Sequence, residues 1–145
     1  MLRGIDPVLS PELLRILRAM GHGDDIVIAD ANFPAESCAA ELVRLDGLSA
    51  PQVTRAILSV MPLDDFVDDP VCSMAIVGDA NTLPPVVALM QSVIDEVADK
   101  PAAIKPLERF AFYERARAAF AIVQTGETRH YGNLLLKKGV IASPE

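Results

Sequence analysis

The chain lacks tryptophan, and its 145 residues include only two cysteines. Aromatic residues make up 5% of the sequence, so the hydrophobic core has to be built from aliphatic side chains and methionine. Cys38 and Cys72 lie far apart and have no metal-binding spacing. This usage favours two ordinary thiols in a reducing cytoplasm over a disulfide.

Positive charge is also scarce, because the formal net charge is −7. Nucleic acids and anionic membrane surfaces both attract positive charge, so neither is an expected partner. No apolar run approaches the length of a transmembrane helix, and Arg3, Asp6 and Pro7 interrupt the region where a signal peptide needs apolar residues. We therefore expect a cytoplasmic protein.

The motifs of cofactor, metal and covalent chemistry are missing from the sequence. Gly21-His22-Gly23 is too short to match a phosphate-binding GxGxxG or Walker loop. No His, Cys and Asp residues have zinc-site spacing, and Ser37 does not lie in a nucleophile elbow. The sequence thus predicts no cofactor, no metal and no covalent intermediate.

The length of the chain fits a single domain over residues 1–145, and short apolar segments alternate with amphipathic ones. This alternation predicts an α/β fold with a largely parallel central sheet covered on both faces. Helices are expected to start at Ser10-Pro11-Glu12, at Ser49-Ala50-Pro51 and at Asn81 or Thr82, with a fourth over residues 108–119. Strands are predicted at 26–29, 41–45, 71–77, 104–107, 120–125 and 134–136, and residues 31–40 are expected to form a loop.

The segment from Met20 to Pro34 holds two candidate site residues. His22 lies between two glycines in a turn, and an imidazole can both give and take a proton near neutral pH. Asp30 follows the apolar strand 26–29, and ligands of open α/β sheets bind near the carboxyl ends of strands. For a lone His or Asp a structural role is the commoner one, but their closeness in sequence favours one shared site.

Two later segments offer further polar groups. Arg109 opens the stretch Arg109-Phe110-Ala111-Phe112-Tyr113-Glu114, where it could donate to ligand oxygens beside an aromatic wall. Tyr131 and Asn133 alternate along the chain, so both side chains could face one pocket. The alternatives are an aromatic core face of a helix and an ordinary turn. His130 is expected at the surface.

Together these pieces resemble the L-fucose mutarotase family, which is sister to D-ribose pyranase. The matching pieces span nearly the whole chain in order, namely Ser10-Pro11-Glu12-Leu13-Leu14, Met20-Gly21-His22-Gly23-Asp24, Asp30-Ala31 with Phe33-Pro34, Arg109-Phe110-Ala111-Phe112-Tyr113-Glu114-Arg115-Ala116, Thr125-Gly126-Glu127, Tyr131-Gly132-Asn133 and Leu135-Leu136-Lys137-Lys138-Gly139. The resemblance implies a three-layer α/β/α subunit in a ring-like homo-oligomer, often a decamer, with sites at subunit interfaces.

The resemblance also implies cofactor-free interconversion of the α and β anomers of a monosaccharide. By motif position, His22 matches the proton donor, and Asp30, Arg109, Tyr131 and Asn133 match the sugar-binding residues. Ribose pyranases typically carry His in place of Arg109 and Ala in place of Gly132, so this chain looks like the fucose branch, although Asn32 stands where that branch often has His.

Three other functions remain open from the sequence. The chain could act as a D-ribose pyranase, as a non-catalytic sugar-binding or transport-accessory protein, or as a structural ring protein with a vestigial site. A pure binder does not need a titrating group, so His22 favours an enzyme.

Overall fold

The protein, described by a computed structural model over residues 1–144, is built on one six-stranded sheet. Its helices are α1 (Pro11–Ala19), α2 (Ala35–Cys38), α3 (Ala50–Leu58), α4 (Pro85–Val97) and α5 (Arg109–Ala118). Its strands are β1 (Asp25–Ala29), β2 (Leu42–Leu45), β3 (Val71–Met74), β4 (Lys105–Leu107), β5 (Ala121–Thr125) and β6 (Leu134–Lys137).

The sheet is parallel apart from one central strand. The strand order is β2-β5-β1-β6-β3-β4, and the pairs β1–β5, β2–β5 and β3–β4 are parallel. Strand β6 runs antiparallel to both of its neighbours, β1 and β3. The predicted largely parallel sheet is confirmed, and the reversed β6 brings its first residues beside the carboxyl end of β1.

Helices cover both faces of the sheet because its central strands are apolar on both sides. Ile26 and Ile28 of β1 belong to the core under α1, α3 and α4, whereas Val27 and Ala29 belong to the core under α2 and α5. Successive side chains of a strand point to opposite faces, so a continuous apolar strand fills two cores at once. The result is the expected three-layer α/β/α arrangement.

The first two long helices begin where the sequence predicts. The Ser10 hydroxyl accepts a hydrogen bond from the Leu13 amide at 3.3 Å, and proline occupies the first turn of α1. Ser49 and Gln52 form a reciprocal capping box at the start of α3. Within the described residues, no helix is both long enough and apolar enough to cross a membrane.

Other element boundaries differ from the prediction. Helix α4 starts at Pro85, not after Asn81 or Thr82, because the Thr82 hydroxyl and amide bond the Asp79 carboxylate instead. Residues before proline avoid the helical region, which delays the helix to the Pro84-Pro85 pair. Strand β3 ends at Met74, short of the predicted residue 77, and the loop predicted over 31–40 contains the short helix α2.

Candidate functional site

Four of the five predicted site residues line one pocket of about 210 Å³ beside the carboxyl end of β1. Asp30 follows β1, and Asn133 precedes β6. Because β6 is antiparallel to β1, Ile28 pairs with Leu134, and these two polar residues meet at the same edge of the sheet. The other lining residues are Asn32, Phe33, Met74, Arg109, Tyr113, His130 and Tyr131.

Asp30 and Asn133 form a buried pair at the base of this pocket, with 4% and 3% of their surfaces exposed. The Asp30 amide donates to Asn133 Oδ1 at 2.8 Å, and Asn133 Nδ2 donates to Asp30 Oδ2 at 3.2 Å. The Asn32 amide donates to Asp30 Oδ1 at 3.0 Å. Asn133 therefore fixes the orientation of a carboxylate that can accept hydrogen bonds from hydroxyl groups.

Burial raises the pKa of the Asp30 carboxyl above its ordinary value. The amides of Asn32, Phe33 and Gly132 and the side chain of Asn133 lower it, but they do not cancel the effect of burial. A ligand hydroxyl that donates to this carboxylate would add another interaction that favours its charged form. The chemistry of this group suits a polyhydroxylated ligand.

Tyr131 lies on one side of the pocket in an unusual backbone conformation. Its φ angle is 61°, and it is the only non-glycine residue with a positive φ in the part of the chain that the structure describes. Left-handed backbone at such a residue costs on the order of 1–3 kcal/mol, so surrounding contacts have to hold it. One of them is the Val77 amide, which donates to the Tyr131 hydroxyl at 3.2 Å.

Arg109 begins α5 and contributes a donor without an internal acceptor. Its Nε is buried and has no hydrogen-bond partner among residues 1–144, and its guanidinium lies 4.7 Å from the centre of the Phe110 ring. A buried N–H without a partner is costly, so an oxygen of a bound ligand would stabilise it. Phe33 and Tyr113, whose ring centres are 5.4 Å apart, line the pocket, so Tyr113 is the only aromatic residue of the predicted stretch that does so, whereas Phe112 is buried in the core.

His22 does not lie in this pocket, so the expectation that it shares one site with Asp30 inside a chain is wrong. His22 precedes β1 and Asp30 follows it, and a five-residue strand spans roughly 16 Å. The adjacent Gly23 amide bonds the carbonyl of Lys138, which follows β6, whereas Asp30 bonds Asn133, which precedes it. The two candidate residues therefore occupy opposite edges of the sheet.

At its own edge His22 has a carboxylate partner that sequence reasoning missed. Its Nε2 lies 3.0 Å from Oδ1 of Asp64, and its ring centre lies 4.9 Å from that of Phe66. The His22 side chain is 42% exposed, whereas that of Asp64 is 2% exposed. A carboxylate acceptor selects the tautomer with the proton on Nε2, which leaves Nδ1 to exchange protons with a ligand.

The pKa of Asp64 lies below its ordinary value. Burial alone would raise it, but hydrogen bonds from the Phe66 and Asp65 amides and from the His22 ring, with the electrostatic attraction between ring and carboxylate, together outweigh burial. Asp64 therefore stays ionised beside the His22 ring. The sequence signal for this residue is weak, because Asp64 is one of several acidic residues in the turn-rich segment 62–70.

His130 is exposed, as predicted, yet it also lines the mouth of the Asp30 pocket. A second titratable group therefore lies on the same side of the sheet as Asp30 and Arg109. Among residues 1–144, no cluster of three or more His, Cys, Asp or Glu side chains could hold a metal ion.

Comparison with known proteins agrees with the fold. Human fucose mutarotase (Homo sapiens) is 47% identical over 147 residues, which cover 97% of this chain and 95% of that protein. The crystal structure of the fucose mutarotase from Streptococcus pneumoniae in complex with L-fucose is similar with a TM-score of 0.90 and 43% identity, covering 97% of this chain and all of that one. The structure of Bacillus subtilis RbsD complexed with D-ribose, 23% identical over 98% of this chain and 100% of its own, shares the fold with a TM-score of 0.75.

The family model described as the RbsD / FucU transport protein family matches residues 3–141. That range contains every helix and strand of the sheet and all of the pocket residues. With relatives at this level of identity over nearly the full length, the chain belongs to the RbsD/FucU family.

Proposed function

We propose that this protein is a cofactor-free mutarotase that interconverts the α and β anomers of L-fucose or a closely related monosaccharide. The observation that carries the proposal is the pocket that the buried Asp30–Asn133 pair lines together with Arg109, whose Nε has no hydrogen-bond partner among residues 1–144. Its carboxylate and guanidinium suit the hydroxyls and oxygens of a sugar, and its aromatic wall suits a C–H face. Relatives named fucose mutarotase support the choice of sugar.

The proposed reaction needs only proton transfer. One group takes the proton of the anomeric hydroxyl while another protonates the ring oxygen, and the bond between the anomeric carbon and the ring oxygen breaks. The open-chain aldehyde rotates about its bond to the next carbon and closes again on its other face. A positioned acid or base contributes about 10²–10⁴-fold to such a step. His22 is the proposed proton donor, and Asp64 orients its ring through the contact with Nε2.

Because His22 and Asp30 lie at opposite edges of one sheet, the proposal places each active site between two subunits. His22 of one chain would reach the Asp30 pocket of its neighbour in a ring-like homo-oligomer, for which the family resemblance suggests a decamer. Phe66, which packs on His22, is 69% exposed in the single chain, and the neighbouring subunit would bury it at such an interface. We also propose a cytoplasmic location, since both cysteines are buried and free.

A second candidate function is sugar binding without catalysis. It is favoured by the absence of His22 from the pocket of a single chain. The two functions differ in one observable, because a mutarotase accelerates the exchange of anomers and a binder does not.

Saturation-transfer NMR between the α and β anomer signals tests the proposal. We expect wild-type protein to accelerate exchange, and to do so more for L-fucose than for D-ribose because Arg109 replaces the His of the pyranase branch. We expect His22→Ala to fold and to keep its size in light scattering while it loses exchange. Exchange retained in His22→Ala but lost in His130→Ala would transfer the proton donor to His130 and contradict the assignment.

A further inference from the structure

The motif Thr125-Gly126-Glu127 has no part in the site described so far. The Thr125 hydroxyl donates to the carbonyl of Ala29 at 2.7 Å, which ties the end of β5 to the end of β1. The Gly126 amide donates to the Leu48 carbonyl at 2.8 Å. A Cβ atom on Gly126 would lie 1.9 Å from the Asp46 carbonyl oxygen, so only glycine fits there. These contacts fix the point from which Glu127 projects.

The Glu127 side chain is buried and accepts four hydrogen bonds. Its Oε1 accepts from the Arg129 amide at 3.0 Å and from Arg129 Nε at 2.7 Å. Its Oε2 accepts from Arg129 Nη2 at 2.9 Å and from the Ala50 amide, in the first turn of α3, at 3.2 Å. The Arg129 guanidinium is the main reason that the pKa of Glu127 lies at about 2, against the opposing effect of burial. The carboxylate thus anchors the connection before β6 to a helix end.

The same residue contacts both sides of the sugar pocket. Its carbonyl accepts from the Ala31 amide, next to Asp30, at 2.8 Å. A Cβ atom on Gly132 would lie 2.8 Å from Glu127 Cγ and 3.5 Å from Asp30 Cβ, so the chain at Gly132 passes directly over the Glu127 side chain. Tyr131 and Asn133 flank that glycine, and Tyr131 has the positive φ angle that needs support.

We propose that Glu127 is a positioning residue for sugar binding, holding residues 128–133 so that Tyr131 and Asn133 face Asp30. The inference rests on the proposed function of the pocket and adds the group that maintains its shape. Glu127 itself does not touch the sugar, so it should affect the affinity for sugar more than the proton transfer.

The test compares Glu127→Gln with Glu96→Gln. Glu96 is a matched control because its carboxylate also bonds an arginine, Arg55, at 2.7 Å, but on exposed surface between α3 and α4. The Kd for L-fucose is measured by titration, and KM and kcat are measured by anomer exchange. For Glu127→Gln we expect Kd and KM to rise by about tenfold or more, the loss expected for a charge-assisted hydrogen bond, with kcat changed by less than about threefold. Glu96→Gln should match wild type.

Hydrogen-exchange mass spectrometry on residues 125–133 gives a readout that does not depend on catalysis. We expect faster exchange of these amides in Glu127→Gln and unchanged exchange elsewhere. Should that variant fail to fold, Arg129→Gln replaces it, since Arg129 is exposed and its loss removes two of the four donors. The expected result is the same in direction and smaller.

A folded Glu127→Gln with a lower melting temperature but wild-type Kd and KM would overturn the inference, because Glu127 would then be structural only. Wild-type protein that binds L-fucose without exchanging its anomers would instead refute the proposed function, while the Kd values would still decide the role of Glu127.

Discussion

Removing His22 and Asp30 in separate chains tests whether an active site is shared between chains. His22→Ala removes the proposed proton donor at the amino end of β1, and Asp30→Asn removes the carboxylate at its carboxyl end. Neither variant alone should have an intact site. If each site combines His22 of one chain with Asp30 of a neighbour, random co-assembly of equal amounts restores both groups in about a quarter of the sites. If both groups serve within one chain, no site is restored.

A second mixture sharpens the test. The double variant His22→Ala/Asp30→Asn, co-assembled with equal wild type, leaves about a quarter of the sites intact when they are shared and about half when they are not. Both mixtures are prepared by co-expression with two affinity tags and isolated by sequential purification, which ensures mixed oligomers. Anomer exchange of L-fucose is then measured per chain. Zero exchange in the first mixture with about half of wild-type exchange in the second would refute the shared site.

Two further predictions concern buried carboxylates. Asp64→Asn removes the charged partner of the His22 ring. Because a hydrogen bond to a charged group is worth about 1.5–3 kcal/mol, kcat for anomer exchange should fall about 10–100-fold. Thermal unfolding should show that the variant is still folded. Wild-type kcat in that variant would exclude a role of Asp64 in positioning the His22 ring. The pKa of Glu127 lies at about 2 instead of 4.5, so its contribution is present above pH 4.5 and is lost as the pH falls towards 2. The free energy of unfolding should drop by on the order of 3 kcal/mol over that range, and urea unfolding of Glu127→Gln, compared at both pH values, should show a smaller drop.

The sequence predicts the layers of the fold well because their signals are local. Ser10 and Ser49 predict the starts of two helices because their hydroxyls cap the first turn, and the apolar run of β1 predicts a strand that is buried on both faces. The start of α4 is missed because Thr82 has two competing uses, as a helix cap and as a partner of Asp79, and the sequence does not rank them. The position of β6 depends on pairing across the whole sheet, which no local pattern encodes.

The candidate site could likewise be predicted from the sequence only in part. Asp30 is located by the rule that ligands bind at the carboxyl ends of strands, and this edge of the sheet holds the pocket. The prediction for His22 is wrong because His22 and Asp30 are only eight positions apart in the sequence, which suggests that they are close in space. Strand β1 lies between them and places them at its opposite ends. Asp64 is missed because its contact with His22 spans 42 positions and depends on how segment 62–70 packs.

The reversed strand β6 has a consequence for how the sheet is completed. Strand β6 lies between β1 and β3, so without it the other five strands are divided into two incomplete sheets, β2-β5-β1 and β3-β4. Until Leu134–Lys137 is made, β1 and β3 each expose an apolar edge with unpaired amides and carbonyls. An unpaired strand edge of this kind can pair with a strand of another chain. The pairing of β6 with both strands therefore joins the two halves of the sheet and removes both exposed edges at once.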